Sequence, residues 1–327
     1  MQDTSHAVPI GDKFTAAVVQ IGSFLFDTGR TLEKIEQYVR KAASDGARLI
    51  VLPEAILGGY PKGLNFDVYV GSRSHAGREH FRRYAASAIE VPGPQTAHLS
   101  GLAAELGVHL VVGAVERRSG TLYCDALFFH PRTGLAGVHR KLVPTAAERF
   151  LWGYGDGSTM PAVPMGDAVL GAAICWENYM PLFRTAMYAK GVTVWCAPTV
   201  DDRDTWPATM RHIALEGRCF VLSASQFVVR ADYPDDVTPM QGNEPGTVLI
   251  DGGSVIVSPL GEVLAGPLRG GEGILTAELD LADIPRARFD FDVVGHYARP
   301  DIFALHVNED PRLDPTVDEL DVTPSDR

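Results

Sequence analysis

Residues 170–181 read LGAAICWENYMP. A run of small and apolar side chains stops at Cys175, and Trp176, Glu177 and Asn178 follow at once. Free cysteine is among the most buried residue types, so Cys175 taken alone reads as the last residue of a core strand. Taken with the polar turn behind it, it reads as a nucleophile that a buried strand has carried to the rim of a sheet. The choice depends on whether other reactive side chains end buried strands elsewhere in the chain.

Strands and helices alternate on both sides of this stretch. FTAAVVQI (14–21) is a β-branched run typical of a buried strand. Leu32, Ile35, Tyr38 and Val39 follow at helical spacing, between an Asp27/Thr28 start and a Gly46 stop. RLIVLPEA (48–55) is a second buried strand, halted by Pro53. Such a strand–helix–strand unit is usually parallel. Residues 58–75 read as a Gly/Pro/Asn loop long enough to carry function. Beyond it, 95–106 reads as a helix, and VHLVVGAVER (108–117), LYCDALFFH (122–130) and GLAGVHRK (134–141) as successive strands. Residues 142–167 are irregular and rich in Gly and Pro.

From Asp167 the pattern restarts, with strands at 167–175, 192–198 and 219–225 and helices at 179–190 and 203–218. A polar loop (230–250), a run of strands and a helix near 281–289 complete it. The alternation predicts an α/β protein with a mixed sheet, or two sheets covered by helices. No linker divides the chain, so 13–305 reads as one domain, preceded by a flexible leader (1–12) and followed by an acidic tail (306–327).

Composition narrows the functional classes. The 327 residues are 46% hydrophobic and 21% charged, a globular mixture. A net charge of -12 argues against a nucleic-acid or anionic-membrane partner, which would want a basic face. The opening residues lack the basic start and apolar stretch of a signal peptide, and no apolar run has membrane-spanning length. The four cysteines, Cys124, Cys175, Cys196 and Cys219, show no paired or zinc-ligand spacing. The expectation is a cytoplasmic protein whose thiols stay free, with no bound metal.

Three reactive side chains share one setting. Glu54 ends RLIVLPE, Lys141 ends GLAGVHRK and Cys175 ends AVLGAAIC. Binding crevices of open α/β sheets lie outside such strand ends. Each residue also has an ordinary reading: a helix start after Pro53, a solvated strand end, a structural thiol. Together they make a chemical set. A free thiol has a pKa of about 8.5 and only the thiolate is a strong nucleophile. A carboxylate takes the thiol proton as attack begins, and an ammonium stabilises the negative charge that develops. A helix opening at Glu177 would add positive potential, and the Trp176 backbone N–H a further donor. GYGDG (153–157) does not fit the dinucleotide-binding pattern, and no P-loop or G-x-S-x-G elbow occurs. His109, His139 and His212 stand apart from any cysteine dyad, and His139 reads as a satisfied strand histidine.

These residues resemble the nitrilase superfamily. VLPEAILGGYPKG (51–63), HRKLVPTAAERFLWGYGDGST (139–159) and GAAICWENYMPLFRTAMYAKG (171–191) are similar to its Glu, Lys and Cys motifs, in order. DTWPATMRHIALEGRCFVLSASQF (204–227) and DFDVVGHYARPDIF (290–303) are similar to the nitrile-hydrolysing branch, and the likeness spans roughly residues 14–305. The resemblance implies a four-layer αββα sandwich of two mixed β-sheets flanked by helices. It also implies no metal or organic cofactor, and subunits that dimerise or build larger spirals. By the same resemblance Cys175 is the nucleophile, Glu54 the general base and then acid, Lys141 the cationic stabiliser, and Glu148 a second glutamate orienting the lysine. The expected substrates are a small organic nitrile and water. Tyr60, Trp152 and Trp176 are candidates to line an apolar pocket for the nitrile, the ordinary alternative being core or interface packing. Two other readings stay open: hydrolysis of an amide-type carbon–nitrogen bond by the same residues, and a non-catalytic assembly protein that keeps the fold.

Overall fold

The β-branched run at 13–20 forms β1 (Lys13–Gln20), and the amphipathic segment behind it forms α1 (Thr28–Ser44). Asp27 caps α1 by accepting the Arg30 N–H, and Thr31, Ile35, Val39 and Ala42 make its buried stripe. The chain returns as β2 (Ala47–Val51), parallel to β1 with Val18 opposite Val51. This computed structural model describes residues 12–312. The leader before Asp12 and the tail beyond Arg312 lie outside the described residues.

Residues 58–75 are less uniform than the sequence suggests, because β3 (Val68–Tyr69) and β4 (Ser72–Arg73) pair there as a short ribbon. An unforeseen helix, α2 (His75–Ser87), follows. Next come α3 (Pro94–Leu106), β5 (His109–Arg118), β6 (Thr121–His130) and β7 (Gly134–Arg140). The irregular stretch ends in β8 (Val163–Met165), which pairs with β9 (Ala168–Ala172). After these run α4 (Pro181–Ala189), β10 (Val194–Thr199), α5 (Trp206–Gly217), β11 (Phe220–Ser225) and β12 (Phe227–Val229). The chain then forms β13 (Val248–Val257), β14 (Val263–Arg269), β15 (Gly273–Asp280) and α6 (Asp283–Arg288).

Two mixed sheets result. One has the order β15-β1-β2-β5-β6-β7, and the other β12-β13-β11-β10-β9-β8, with β14 alongside β13. They pack face to face, burying Val18, Leu49, Val111 and Phe128 of the first against Leu170, Val194, Leu222 and Ile256 of the second. On the outer face of the first sheet, Ile35 and Val39 of α1 and Leu99 and Leu102 of α3 cover Ile50, Leu110 and Val112. On the outer face of the second, Met187 of α4 and Met210 and Ile213 of α5 cover Trp195, Val221 and Val255. The layers are therefore α–β–β–α, the expected four-layer sandwich. No helix among the described residues is long and apolar enough to cross a membrane.

The start of the tail lies on the domain. Val307 packs beside the core of the second sheet, the Lys190 ammonium pairs with Glu309 at 2.5 Å, and the Arg312 N–H donates to Asp156.

One glycine fixes the segment after β2. A Cβ at Gly113 of β5 would stand 2.1 Å from the Pro53 carbonyl oxygen and 2.7 Å from the Glu54 Cα. Gly113→Ala is therefore expected to lower unfolding stability by roughly 1–3 kcal/mol through overpacking. Gly101→Ala in α3, where a Cβ meets nothing within 4 Å, should instead raise stability by about 0.5–1 kcal/mol. Urea unfolding of the two variants checks both signs.

Candidate active site

Glu54, Lys141 and Cys175 each follow a strand of the sandwich, and the fold brings all three together. Glu54 lies just past β2, Lys141 directly after β7, and Cys175 just past β9. All three are buried, although each carries a reactive polar group. The Lys141 ammonium donates to Glu54 Oε1 at 2.6 Å and to Glu148 Oε2 at 2.7 Å. Glu148 comes from the one-turn 3-10 helix Ala146–Phe150 and also accepts the Thr145 N–H at 2.6 Å and the Tyr60 hydroxyl at 2.8 Å. The Cys175 thiol lies within interaction range of Glu54 and of the Thr199 hydroxyl. Cys175 itself sits in the left-handed region, at φ 50°, a costly conformation for a residue with a Cβ.

Burial dominates the electrostatics. It raises the Glu54 carboxyl to about 7, with Glu148 pushing the same way and the Lys141 ammonium pulling back. Burial also works against the Lys141 charge, but Glu54, Cys175 and Glu148 more than offset it and hold the ammonium well above its ordinary value. The Cys175 thiol is pushed far up, by burial first and the Glu54 charge second. At rest it is a thiol rather than a thiolate. Glu54 Oε1 is occupied by Lys141, and Oε2 is buried with no hydrogen-bond partner among the described residues. A carboxylate with one oxygen anchored and one free is a proton acceptor waiting for a proton.

Several site residues escaped the sequence reading. Cys124 of β6 places its thiol 3.7 Å from Glu54 Oε1, and Gln226 donates to the Glu54 backbone carbonyl at 2.7 Å. Asn178 donates to the carbonyls of Ala173 and Cys175, tying down the turn that carries Cys175. Glu177 is wholly enclosed and pairs with His139 at 2.8 Å. Only the alternation of β6 hinted at Cys124. A glutamate and an asparagine behind a strand look like solvent-facing turn residues.

The turn also differs from the one expected. Cys175–Tyr179 is a short 3-10 helix, and the α-helix begins only at Pro181, so the thiol lacks a full helix N-terminus. The reason is local: the Ile174 and Leu142 N–H groups take the Glu177 carboxylate, and Pro181 favours the first position of a new helix.

A cavity of about 210 Å³ reaches Cys175 and Glu148 and is walled by Tyr60, Lys62, Trp176, Asp202 and Arg203. Tyr60 and Trp176 line it. The Trp176 indole N–H donates to Asp201 at 2.9 Å, and the Arg203 guanidinium lies over its ring. Trp152 does not line it. It is buried, donates to the Tyr84 hydroxyl at 3.0 Å and borders a neighbouring cavity of about 160 Å³ that shares Tyr60, Lys62 and Glu148. Charged side chains of the 201–203 segment and Lys62 share the wall with the apolar surfaces of Tyr60, Trp176 and Val200. The 230–250 loop acts from behind: Tyr233 donates to the carbonyls of Tyr60 and Lys62. A larger cavity of about 510 Å³, near Phe24 and Arg82, touches none of the four candidate catalytic residues.

A sequence profile for carbon-nitrogen hydrolase matches residues 15–289. The chain belongs to that family. Among its relatives, an aliphatic nitrilase from Sinorhizobium fredii is 58% identical over 92% of this chain and 97% of its own length. A bifunctional nitrilase/nitrile hydratase from Lupinus angustifolius is 54% identical over 90% of this chain and 86% of its own. These place the family member in the nitrilase branch. A carbon-nitrogen hydrolase from Helicobacter pylori shares the fold, with a TM-score of 0.69 at 22% identity over 89% of this chain and 97% of that one.

The geometry makes thiol reactivity depend on Glu54. Below pH 7 the carboxyl, raised to about 7, keeps its own proton, and above it the carboxylate can take the thiol's. Alkylation of Cys175 by iodoacetamide, followed by peptide mass spectrometry, should therefore rise with pH through an apparent pKa near 7. Glu54→Gln should remove that limb and slow alkylation by about 10²-fold or more.

Proposed function

We propose that this enzyme hydrolyses an organic nitrile to the carboxylic acid and ammonia, with Cys175 as nucleophile, Glu54 as general base and acid, Lys141 as electrostatic stabiliser and Glu148 as the residue that orients Lys141. The observation that carries the reading is the buried ammonium anchored between Glu54 and Glu148 at 2.6 and 2.7 Å, beside a thiol and an unoccupied carboxylate oxygen.

The chemistry follows from those positions. Sulfur attacks the nitrile carbon while Glu54 passes the thiol proton to nitrogen, giving a thioimidate. Water, deprotonated by Glu54, adds to the carbon and forms a tetrahedral intermediate whose charge Lys141 stabilises. Expulsion of ammonia leaves a thioester, and a second water releases the acid and restores the thiol. Expulsion of sulfur before ammonia would release an amide instead. Two relatives named as bifunctional nitrilase/nitrile hydratases support that partition.

The small cavity and its charged wall favour a short aliphatic nitrile with a polar end over an aryl nitrile. A relative named as an aliphatic nitrilase agrees with that preference. Four free thiols fit a reducing cytoplasm. Exposed apolar side chains such as Leu182, Phe289 and Phe303 support assembly into homodimers or longer spirals.

Ammonia release from aliphatic, aryl and arylacetic nitriles, and from the matching amides, tests the reading. Short polar aliphatic nitriles should be turned over fastest. Cys175→Ala should lose at least about 10³-fold in rate while unfolding with unchanged cooperativity. Faster release from the amides than from the nitriles would assign the chain to amide hydrolysis.

A further inference from the structure

Lys141 follows β7 in one sheet, and Cys175 follows β9 in the other. No shared ladder of strand hydrogen bonds sets the distance between them. We infer that Glu177, charge-paired with His139, is a positioning residue that clasps the lysine loop to the cysteine loop. This inference rests on the catalytic roles proposed above for Lys141 and Cys175.

One carboxylate makes the connection. Glu177 Oε1 accepts the backbone N–H of Leu142, the residue after Lys141, at 2.7 Å. Its Oε2 accepts the backbone N–H of Ile174, the residue before Cys175, at 2.7 Å. The same Oε2 meets His139 Nε2 at 2.8 Å. His139 lies on β7, two residues before Lys141. Its other nitrogen, Nδ1, stands 2.6 Å from the Thr159 carbonyl oxygen. That carbonyl only accepts, so Nδ1 carries a proton. Two backbone N–H groups donate to Glu177, the pattern of a carboxylate, and beside an ionised Glu177 the Nε2 atom donates as well, so the clasp assigns the ring as an imidazolium. Both side chains are almost fully buried, with Phe183 of α4 packed on the imidazole at 5.4 Å.

The clasp also restrains the strained nucleophile. Cys175 at φ 50° is held on its N-terminal side by Glu177 and through its carbonyl by Asn178, whose oxygen in turn accepts the Trp195 indole N–H at 2.8 Å. A glutamine at 177 has one accepting and one donating terminus. One of the two loops would then face a donor with a donor, and that loop would be released.

Steady-state kinetics on the best nitrile of the panel, beside thermal unfolding, tests the clasp. Folded Glu177→Gln should lose about 10²-fold in kcat with KM within about threefold, the signature of misplaced catalytic groups rather than lost binding. His139→Gln, which leaves the carboxylate bridging the two N–H groups, should lose less, about tenfold. In the wild type, ¹⁵N-histidine NMR should show one ring protonated on both nitrogens at pH 7.5, assigned by its absence from His139→Gln. Wild-type kcat in the folded variants, a kcat loss that only tracks the unfolded fraction, or a neutral His139 at that pH would overturn the clasp. Should Glu177→Gln fail to fold, the His139 variant and the NMR signal still decide. A Cys175→Ala enzyme that stays active would instead sink the catalytic roles themselves.

Discussion

A lysine ammonium shut away from water is the constraint on which the site depends. Moving such a charge into a protein interior costs several kcal/mol even after relaxation, and only close, well-aligned counter-charges offset it. Lys141 meets that condition with two carboxylates, one from the segment after β2 and one from the Ala146–Phe150 turn. Two stretches far apart in the chain, one at Glu54 and one at Lys141–Glu148, are therefore bound to one point. The cluster can exist because the two sheets close over it, and its members can remain charged because they hold one another.

The same enclosure explains where strain is tolerated. Ala55, next to Glu54, and Cys175 both adopt positive φ without being glycine. Each such residue costs of order 1–3 kcal/mol and persists only where its surroundings over-determine it. Around Ala55 that role falls to Gly113, whose missing side chain lets β5 approach, and to Gln226, which holds the Glu54 carbonyl and reaches back to Ser23. Around Cys175 it falls to Asn178 and Glu177. Stability elsewhere in the sandwich supports poor backbone geometry at Cys175 and directly beside Glu54.

What the sequence revealed depended on how each element buries its surface. The unit β1–α1–β2 was legible because Ile35 and Val39 repeat at helical spacing between two β-branched runs. Helix α2 was not, because its buried positions are Gly77, Tyr84 and Ser87, a stripe that carries almost no hydrophobic signal. The candidate catalytic quartet was visible as polar residues interrupting apolar strands, and through resemblance in the case of Glu148. The cavity wall was hidden, since Lys62, Asp202 and Arg203 in a loop look the same whether they face solvent or substrate. Glu177 and His139 were hidden for a related reason. A pair of opposite charges cancels only in space, and nothing in a linear reading joins residues 38 positions apart.

The resting state of the site follows from these charges. Burial raises the Glu54 proton affinity to about 7, because one ammonium shared between two carboxyl groups only partly offsets it and the Glu148 charge adds to it. The same surroundings push the thiol far above its solution value, because a thiolate would add another negative charge beside Glu54. Sulfur and carboxylate therefore do not exchange a proton before substrate arrives. In the proposed reaction an electrophile changes that balance: as sulfur begins to bond to carbon its proton becomes acidic, and the free Glu54 oxygen is already in place to take it. Nucleophilicity is then created during attack rather than stored beforehand. A buried neutral thiol is also a poor target for oxidants, which react with thiolates. On the proposed mechanism, the cluster that makes Cys175 usable in the reaction thus keeps it protected between turnovers.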